Sequence, residues 1–104
     1  MAISIPIFTL QLAKARLATN QANARTAKAA AIAAYLENDT VTGGIYDVDA
    51  GTFTKGSAIS GTVSVTTDPS TWTVTGNSDL TNSIYKVNIG VTLSDGSVTQ
   101  YDFK

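Results

Sequence analysis

Apolar and polar residues follow two different rhythms along this chain. In the first third, Leu10, Leu17, Ala24 and Ala31 recur every seven residues, flanked by Ala13, Ala27 and Ala34. That spacing lines one face of an α-helix. Further on the period falls to two: Val63 and Val65, then Trp72 and Val74, then Tyr85, Val87, Ile89, Val91 and Leu93, then Thr99, Tyr101 and Phe103. Alternation of that kind belongs to strands with one buried face. The change falls near residues 37–42, where Asn38-Asp39-Thr40 precedes Gly43-Gly44 and breaks the helical pattern. The expectation is a single α+β domain over residues 1–104. A helix occupies 1–36, and a loop plus sheet occupies 37–104. The long helix lies across an antiparallel sheet of about four strands.

The helix is predicted to begin near Pro6, since proline costs nothing in a first turn where its missing N–H has no partner to lose. Ile7 to Leu36 then spans about 45 Å at 1.5 Å per residue. A compact chain of this size has a radius of gyration of about 13 Å, hence a diameter of roughly 33 Å. One end of the helix must therefore protrude. The first part (Ile3, Ile5, Ile7, Phe8, Leu10, Leu12, Leu17) is apolar around much of its circumference, whereas the alanines suit close approach to a sheet. So the alanine-rich half is expected to dock, anchored by Ile32, Tyr35 and Leu36, and the apolar half to seek a partner.

In the second part, Asp68-Pro69-Ser70 between two alternating runs reads as the turn of a hairpin. Ser94-Asp95-Gly96 is a second turn. A two-residue loop at Asp95-Gly96 pairs Leu93 with Val98 and sends Tyr101 and Phe103 to the face away from Ile89. A three-residue loop pairs Leu93 with Ser97, Ile89 with Tyr101 and Val87 with Phe103, which gives one apolar face and is the register expected. The opposite face, rich in Thr, Ser and Asn, is expected to stay in solvent.

Composition sharpens this division. Ala13 to Ala34 holds eleven alanines in 22 positions, whereas residues 37–104 hold 13 threonines, 8 serines and all 8 glycines. These are helix-forming and strand-and-turn vocabularies respectively. Charge divides at the same place: Lys14, Arg16, Arg25 and Lys28 give the first 36 residues +4, the remainder carries −5, and the sum is −1. Four spread charges without interleaved aromatics are a poor nucleic-acid footprint, and no nucleic acid is expected. The split suits attraction between opposite ends of neighbouring copies.

Histidine and cysteine are both absent, which removes the usual zinc sites, thiol nucleophiles, Ser-His-Asp triads and disulfides. Asp47 and Asp49 before Gly51 open like a calcium loop, but Gly51 stands where an oxygen ligand belongs and no glutamate follows at the required distance. Glu37 is the one glutamate, so a glycosidase carboxylate pair would need scattered turn aspartates. No lysine follows the glycines at phosphate-loop spacing. Trp72, alternating with Val74, reads as core; the alternative is an exposed carbohydrate-stacking platform. No catalytic residue, cofactor or metal-ligand set emerges, and an enzyme is not expected.

Ile5 to Leu36 resembles the helix region of type IV pilins and pseudopilins, especially those of Gram-positive bacteria. In that family Ile-Pro-x-Phe follows the membrane segment, then Gln-Leu-x-Lys-Ala-Arg leads into an alanine-rich helix ending at Tyr-Leu. The corresponding elements here are Ile5-Pro6-Ile7-Phe8, Gln11 to Arg16, Ala22 to Ala34, and Tyr35-Leu36. The likeness covers about the first third of the chain; the β-rich remainder carries no assignable motif. The family's basic leader, Gly-Phe cleavage site, early glutamate and roughly twenty apolar residues are not matched. Met1-Ala2-Ile3-Ser4-Ile5 reads as the tail of such an apolar segment, and the expectation is a truncated, soluble form of a membrane-anchored subunit.

The resemblance implies a structural subunit of a cell-surface filament serving adhesion or motility, polymerising through its N-terminal helix. Its partners would be other copies, the pilus assembly machinery and a host or surface ligand met by the loops Gly51–Gly61 and Gly76–Ser83. Leu10, Leu12 and Leu17 are expected at subunit contacts, with Arg16 or Arg25 facing acids of a neighbour. The alternatives are a pseudopilin of a type II secretion or DNA-uptake machine, and a carbohydrate-binding surface module. No Leu-Pro-x-Thr-Gly motif occurs, so sortase-assembled pili do not fit.

Overall fold

The computed structural model describes residues 4–57, 59–66, 68–76 and 78–104, with side chains from Leu10 onward. Helix α1 runs Ser4–Glu37. Pro6 lies in its first turn, where a missing N–H costs no intrahelical bond. At 34 residues the helix measures about 51 Å, which accounts for most of the molecule's 56 Å long axis. The radius of gyration, 14.8 Å, exceeds the ~13 Å of a compact chain because the N-terminal part of α1 overhangs the rest. The helix stops at Asn38, whose N–H still reaches the Ala34 carbonyl while its side chain turns back onto Thr40.

Five antiparallel strands follow: β1 (Gly43–Asp47), β2 (Thr52–Lys55), β3 (Val63–Val65), β4 (Asn88–Ser94) and β5 (Ser97–Phe103), in the spatial order β2-β1-β4-β5-β3. A single 3-10 turn (Pro69–Thr71) and a short helix α2 (Ser78–Asn82) lie between β3 and β4. The α+β architecture of one long helix on an antiparallel sheet is as the sequence pattern implies, with one strand more than expected. The difference is two strands gained and one lost: β1 and β2 stand where no alternation was read, β2 because Thr-Phe-Thr-Lys carries one apolar residue, while the run through Trp72 and Val74 is not a strand. Phe53 sits opposite Tyr46 on the helix side of the sheet, over Gly44, where a Cβ would stand only 3.0 Å from the Lys55 Cα.

The core lies between α1 and this face. Ile89, Val91, Tyr101 and Phe103 are essentially fully buried, and Ala24, Ala27 and Ala31 have no exposed surface. Removing a Phe, Ile or Val side chain from water contributes about 1.5–3 kcal/mol each. Trp72 closes one side of the core, edge-on to Tyr101 and Phe103 with ring centres 5.8 Å away in both cases. Tyr85 lies 5.5 Å from Phe103.

Two register expectations are corrected. The β4–β5 loop is the two-residue Asp95-Gly96 turn, pairing Ser94 with Ser97 and Leu93 with Val98. Both turn residues have positive φ, 53° and 80°, as the hairpin twist demands of an Asp-Gly pair. A bulge between Thr92 and Leu93 then shifts the register, so Val91 faces Tyr101 and Ile89 faces Phe103. The single apolar face is thus preserved by one extra residue in β5, not by a longer turn. The hairpin expected across Asp68-Pro69-Ser70 does not form either. Val63 and Val65 pair instead with Phe103 and Tyr101 of β5, which places all four on the buried face. Asp68 caps the 3-10 turn, and Trp72 enters the core from a non-strand segment.

The outer face is not left bare. Because β2 and β3 are opposite edges, their connection must cross the whole sheet, about 19 Å at 4.8 Å per strand. Residues 56–62 can supply up to about 26 Å between Lys55 and Val63, enough for the crossing. It runs over the centre of β4, where Ile59 covers Gly90, and Asp102 is buried beside it with Ser64 and Gln100 as partners. The loop Gly51–Gly61 is therefore strand β2 plus this crossing. Likewise, Gly76–Ser83 contains α2 and is not a free loop.

Candidate functional site

The buried stripe of α1 is Leu17, Asn20, Ala24, Ala27 and Ala31, at alternating spacings of three and four. Its alanines let the helix axis approach the sheet closely, while polar side chains beside the stripe hold the irregular segment between β3 and β4. The Arg16 guanidinium donates to the Asn82 carbonyl at 2.7 Å. The Asn20 amide donates to the Leu80 and Ser83 carbonyls at 2.6 and 2.7 Å and accepts from the Tyr85 N–H at 3.2 Å. Gln21 donates to the carbonyls of Pro69 and Trp72. A segment with little secondary structure of its own needs partners for its backbone groups, and α1 provides them.

At the same flank, Lys28 and Asp68 form an ion pair at 3.0 Å. The Ser70 N–H and hydroxyl both donate to the other oxygen of Asp68. These two bonds, and then the Lys28 ammonium, lower the Asp68 pKa to about 2. Tyr101, buried in the core, is raised to about 12 by desolvation and, secondarily, by the charge of Asp68.

The five residues expected at a subunit interface separate into two groups. Leu10 and Leu12 are exposed, at 47% and 38%, and Arg25 is exposed. Leu10 occupies the same heptad line as Leu17, Ala24 and Ala31, but the sheet and α2 end before reaching it. Leu17, in contrast, is 6% exposed and belongs to the chain's own core. Arg16 is half-buried and occupied with the Asn82 carbonyl. Leu17 and Arg16 are therefore engaged within the subunit, whereas Leu10, Leu12 and Arg25 remain exposed. The side chains of Ile3, Ile5, Ile7 and Phe8 lie outside the described residues. The far anchor is also revised: Ile32 and Tyr35 are half-buried, but Leu36 is 79% exposed.

Asp47 and Asp49 sit at the β1–β2 turn, where Asp47 accepts from the Asp49 and Ala50 N–H groups and Gly51 takes a φ of 69°. No group of three or more metal-ligating side chains occurs among the described residues. Trp72, at 3% exposure, offers no face for stacking a sugar. Among the described residues no helix is long and apolar enough to cross a membrane. The anchoring role of Asn20 and Gln21 escapes a reading by composition. The available signal was an amide standing between Leu17 and Ala24 on the stripe that otherwise buries only apolar residues.

No protein-family model matches the chain, and comparison with curated proteins and with solved structures gives no significant match.

Proposed function

We propose that the chain is a structural subunit of a type IV pilus filament, polymerising through the N-terminal part of α1. The observation carrying this reading is the overhanging helix. Its heptad stripe is buried from Leu17 to Ala31, yet continues to an exposed Leu10, with Leu12 exposed nearby. An apolar helical end held out from its own domain gains by packing against the same element of other copies, and a head-to-tail interface of that kind repeats without closing. The pilin-like order of segments from Ile5 to Leu36 supports the same reading. So does charge: Lys14 and Arg25 are exposed on the helix, and Asp39, Asp49, Asp79 and Asp95 are exposed on the part that follows it. The corresponding localisation is the cell surface, with the subunit held in a membrane before assembly. No catalytic role and no cofactor enter this reading.

Immuno-electron microscopy of material sheared from the parent cells tests it, with antibody raised against the folded chain. Label running along thin filaments is the expected result. Label at the envelope without filaments would favour a pseudopilin. Chain free in the medium, with label on neither, would overturn the reading. With Trp72 in the core, the carbohydrate-binding alternative keeps only the Thr- and Ser-rich strands in its favour.

A further inference from the structure

Asn38, Asp39 and Thr40 directly follow the last residue of α1, and all three are exposed. Of the six asparagines, Asn38 is the one followed two positions later by serine or threonine, and the intervening residue is not proline. Such a triplet is the acceptor pattern for N-linked glycosylation, a modification that needs an exposed, locally turned backbone. The geometry supplies the turn. The Thr40 hydroxyl donates to Asn38 Oδ1 at 2.7 Å, and the Thr40 N–H donates to the same oxygen at 3.1 Å. Both bonds hold Oδ1 toward Thr40 and so fix the orientation of the carboxamide, with Nδ2 turned away from Thr40. No hydrogen bond of the described residues occupies that nitrogen. Beside it an open depression of about 230 Å³ is lined by Asn38, Thr40, Val41, Thr42, Lys55 and Gly56, so the fold does not overhang the amide.

We propose that Asn38 is an acceptor site for an N-linked glycan. The inference rests on the surface-filament reading in one respect: the chain must reach a compartment that holds a lipid-linked sugar donor. In the transfer, Nδ2 attacks the anomeric carbon of a polyisoprenyl-diphosphate oligosaccharide bound to a membrane transferase. The N–C bond forms and the anomeric C–O bond to phosphate breaks. The lipid diphosphate leaves with the electron pair, and the proton lost from Nδ2 passes to a carboxylate of the transferase. No oxidant or reductant is required. Thr40 is a positioning residue for this chemistry, acting through its bonds to Oδ1.

The same two bonds would also serve a plain helix stop, and intact-mass measurement of the protein from the cells that make it separates the two. The expected result is a mass above that of the polypeptide by whole sugar residues. Enzymatic release of the glycan should convert the Asn38 side chain to a carboxylate. The excess should vanish in Asn38→Gln and in Thr40→Val, and persist in Thr40→Ser, which keeps the hydroxyl. An excess retained in Asn38→Gln would overturn the proposal and place the sugar elsewhere. Unmodified protein recovered from filaments would overturn it while leaving the filament reading standing. Unmodified protein found only inside the cell would overturn both.

Discussion

Ile59 lies directly across Gly90 on the outer face of the sheet. A Cβ built on residue 90 would stand 3.1 Å from the Ile59 nitrogen and 3.2 Å from its carbonyl oxygen. Gly90 is the one place on β4 without a side chain, and it lets Ile59 of the connection from β2 to β3 lie close on the strand. Gly90→Val should therefore lift the crossing and destabilise the fold by about 1–3 kcal/mol, the usual range for overpacking. Urea unfolding followed by tryptophan fluorescence measures this. An unchanged midpoint would mean the crossing yields freely.

Asn20 is the polar centre of the helix–loop contact, with no exposed surface and three backbone partners. Asn20→Ala leaves the Leu80 and Ser83 carbonyls and the Tyr85 N–H without it. Buried groups stripped of partners cost about 1–3 kcal/mol each, so a loss of about 3 kcal/mol is expected after partial relaxation. Hydrogen exchange at the Tyr85 amide should accelerate more than exchange in β4 or β5. Equal acceleration everywhere would indicate that Asn20 contributes only to global stability.

The two leucine environments on α1 make separable predictions. Leu17→Ala should cost about 2–4 kcal/mol of monomer stability, as for other buried leucines. Leu10→Ser and Leu12→Ser should leave monomer stability within about 0.5 kcal/mol, as exposed substitutions do, yet sharply reduce filament yield from cells. Filaments of normal yield in the Leu10→Ser, Leu12→Ser double variant would overturn the assembly role of the overhang. Among the arginines, Arg25→Glu gives the clean charge reversal, because Arg16→Glu also loses the bond to Asn82.

Asp68 ties acid stability to one flank. Its pKa in the fold, about 2, lies below the ordinary 3.8. The carboxylate therefore stabilises the folded state fully above about pH 4, and this contribution is lost as pH falls through about 2. Asp68→Asn should show a smaller drop in urea midpoint between pH 5 and pH 2 than the parent. Lys28→Met should keep most of the parent's drop, since the Ser70 N–H and hydroxyl outrank Lys28 in stabilising the carboxylate. Carboxyl titration by NMR checks the same ordering, and a larger effect from Lys28→Met would reverse it.

Much of the architecture is legible in period and composition. The alanine run, the break after Leu36 and the alternation of Ile89, Val91 and Leu93 are local properties, and local properties are what periodicity encodes; Val87, in the same alternation, precedes β4 and is 56% exposed. The heptad line through Leu17, Ala24 and Ala31 correctly marks the docked face. Its weakness is that periodicity shows which side of a helix is apolar, not where along the helix the partner ends. That is why Leu10 and Leu17 look alike in the sequence but differ in burial.

Strand pairing is a different matter, since it depends on residues distant in the chain. Val63 and Val65 carry the same alternation whether they pair with the Trp72 segment or with β5. The choice went to β5 because Phe103 and Tyr101 extend the buried face there, while Asp68 and Pro69 commit their own segment to a 3-10 turn. The Asp95-Gly96 pair did specify its two-residue turn locally, through the positive φ both residues tolerate. The bulge that then restores the apolar face of β5 answers to the sheet as a whole. By itself the sequence determined one long alanine-rich helix, a following sheet, and the opposite charges of the two. Only the tertiary structure decided the strand order, the crossing over Gly90, the commitment of Leu17 and Arg16 within the subunit, and the exposure left at Leu10, Leu12 and Asn38. The physical reason is that these depend on which surfaces remain uncovered once the core has closed.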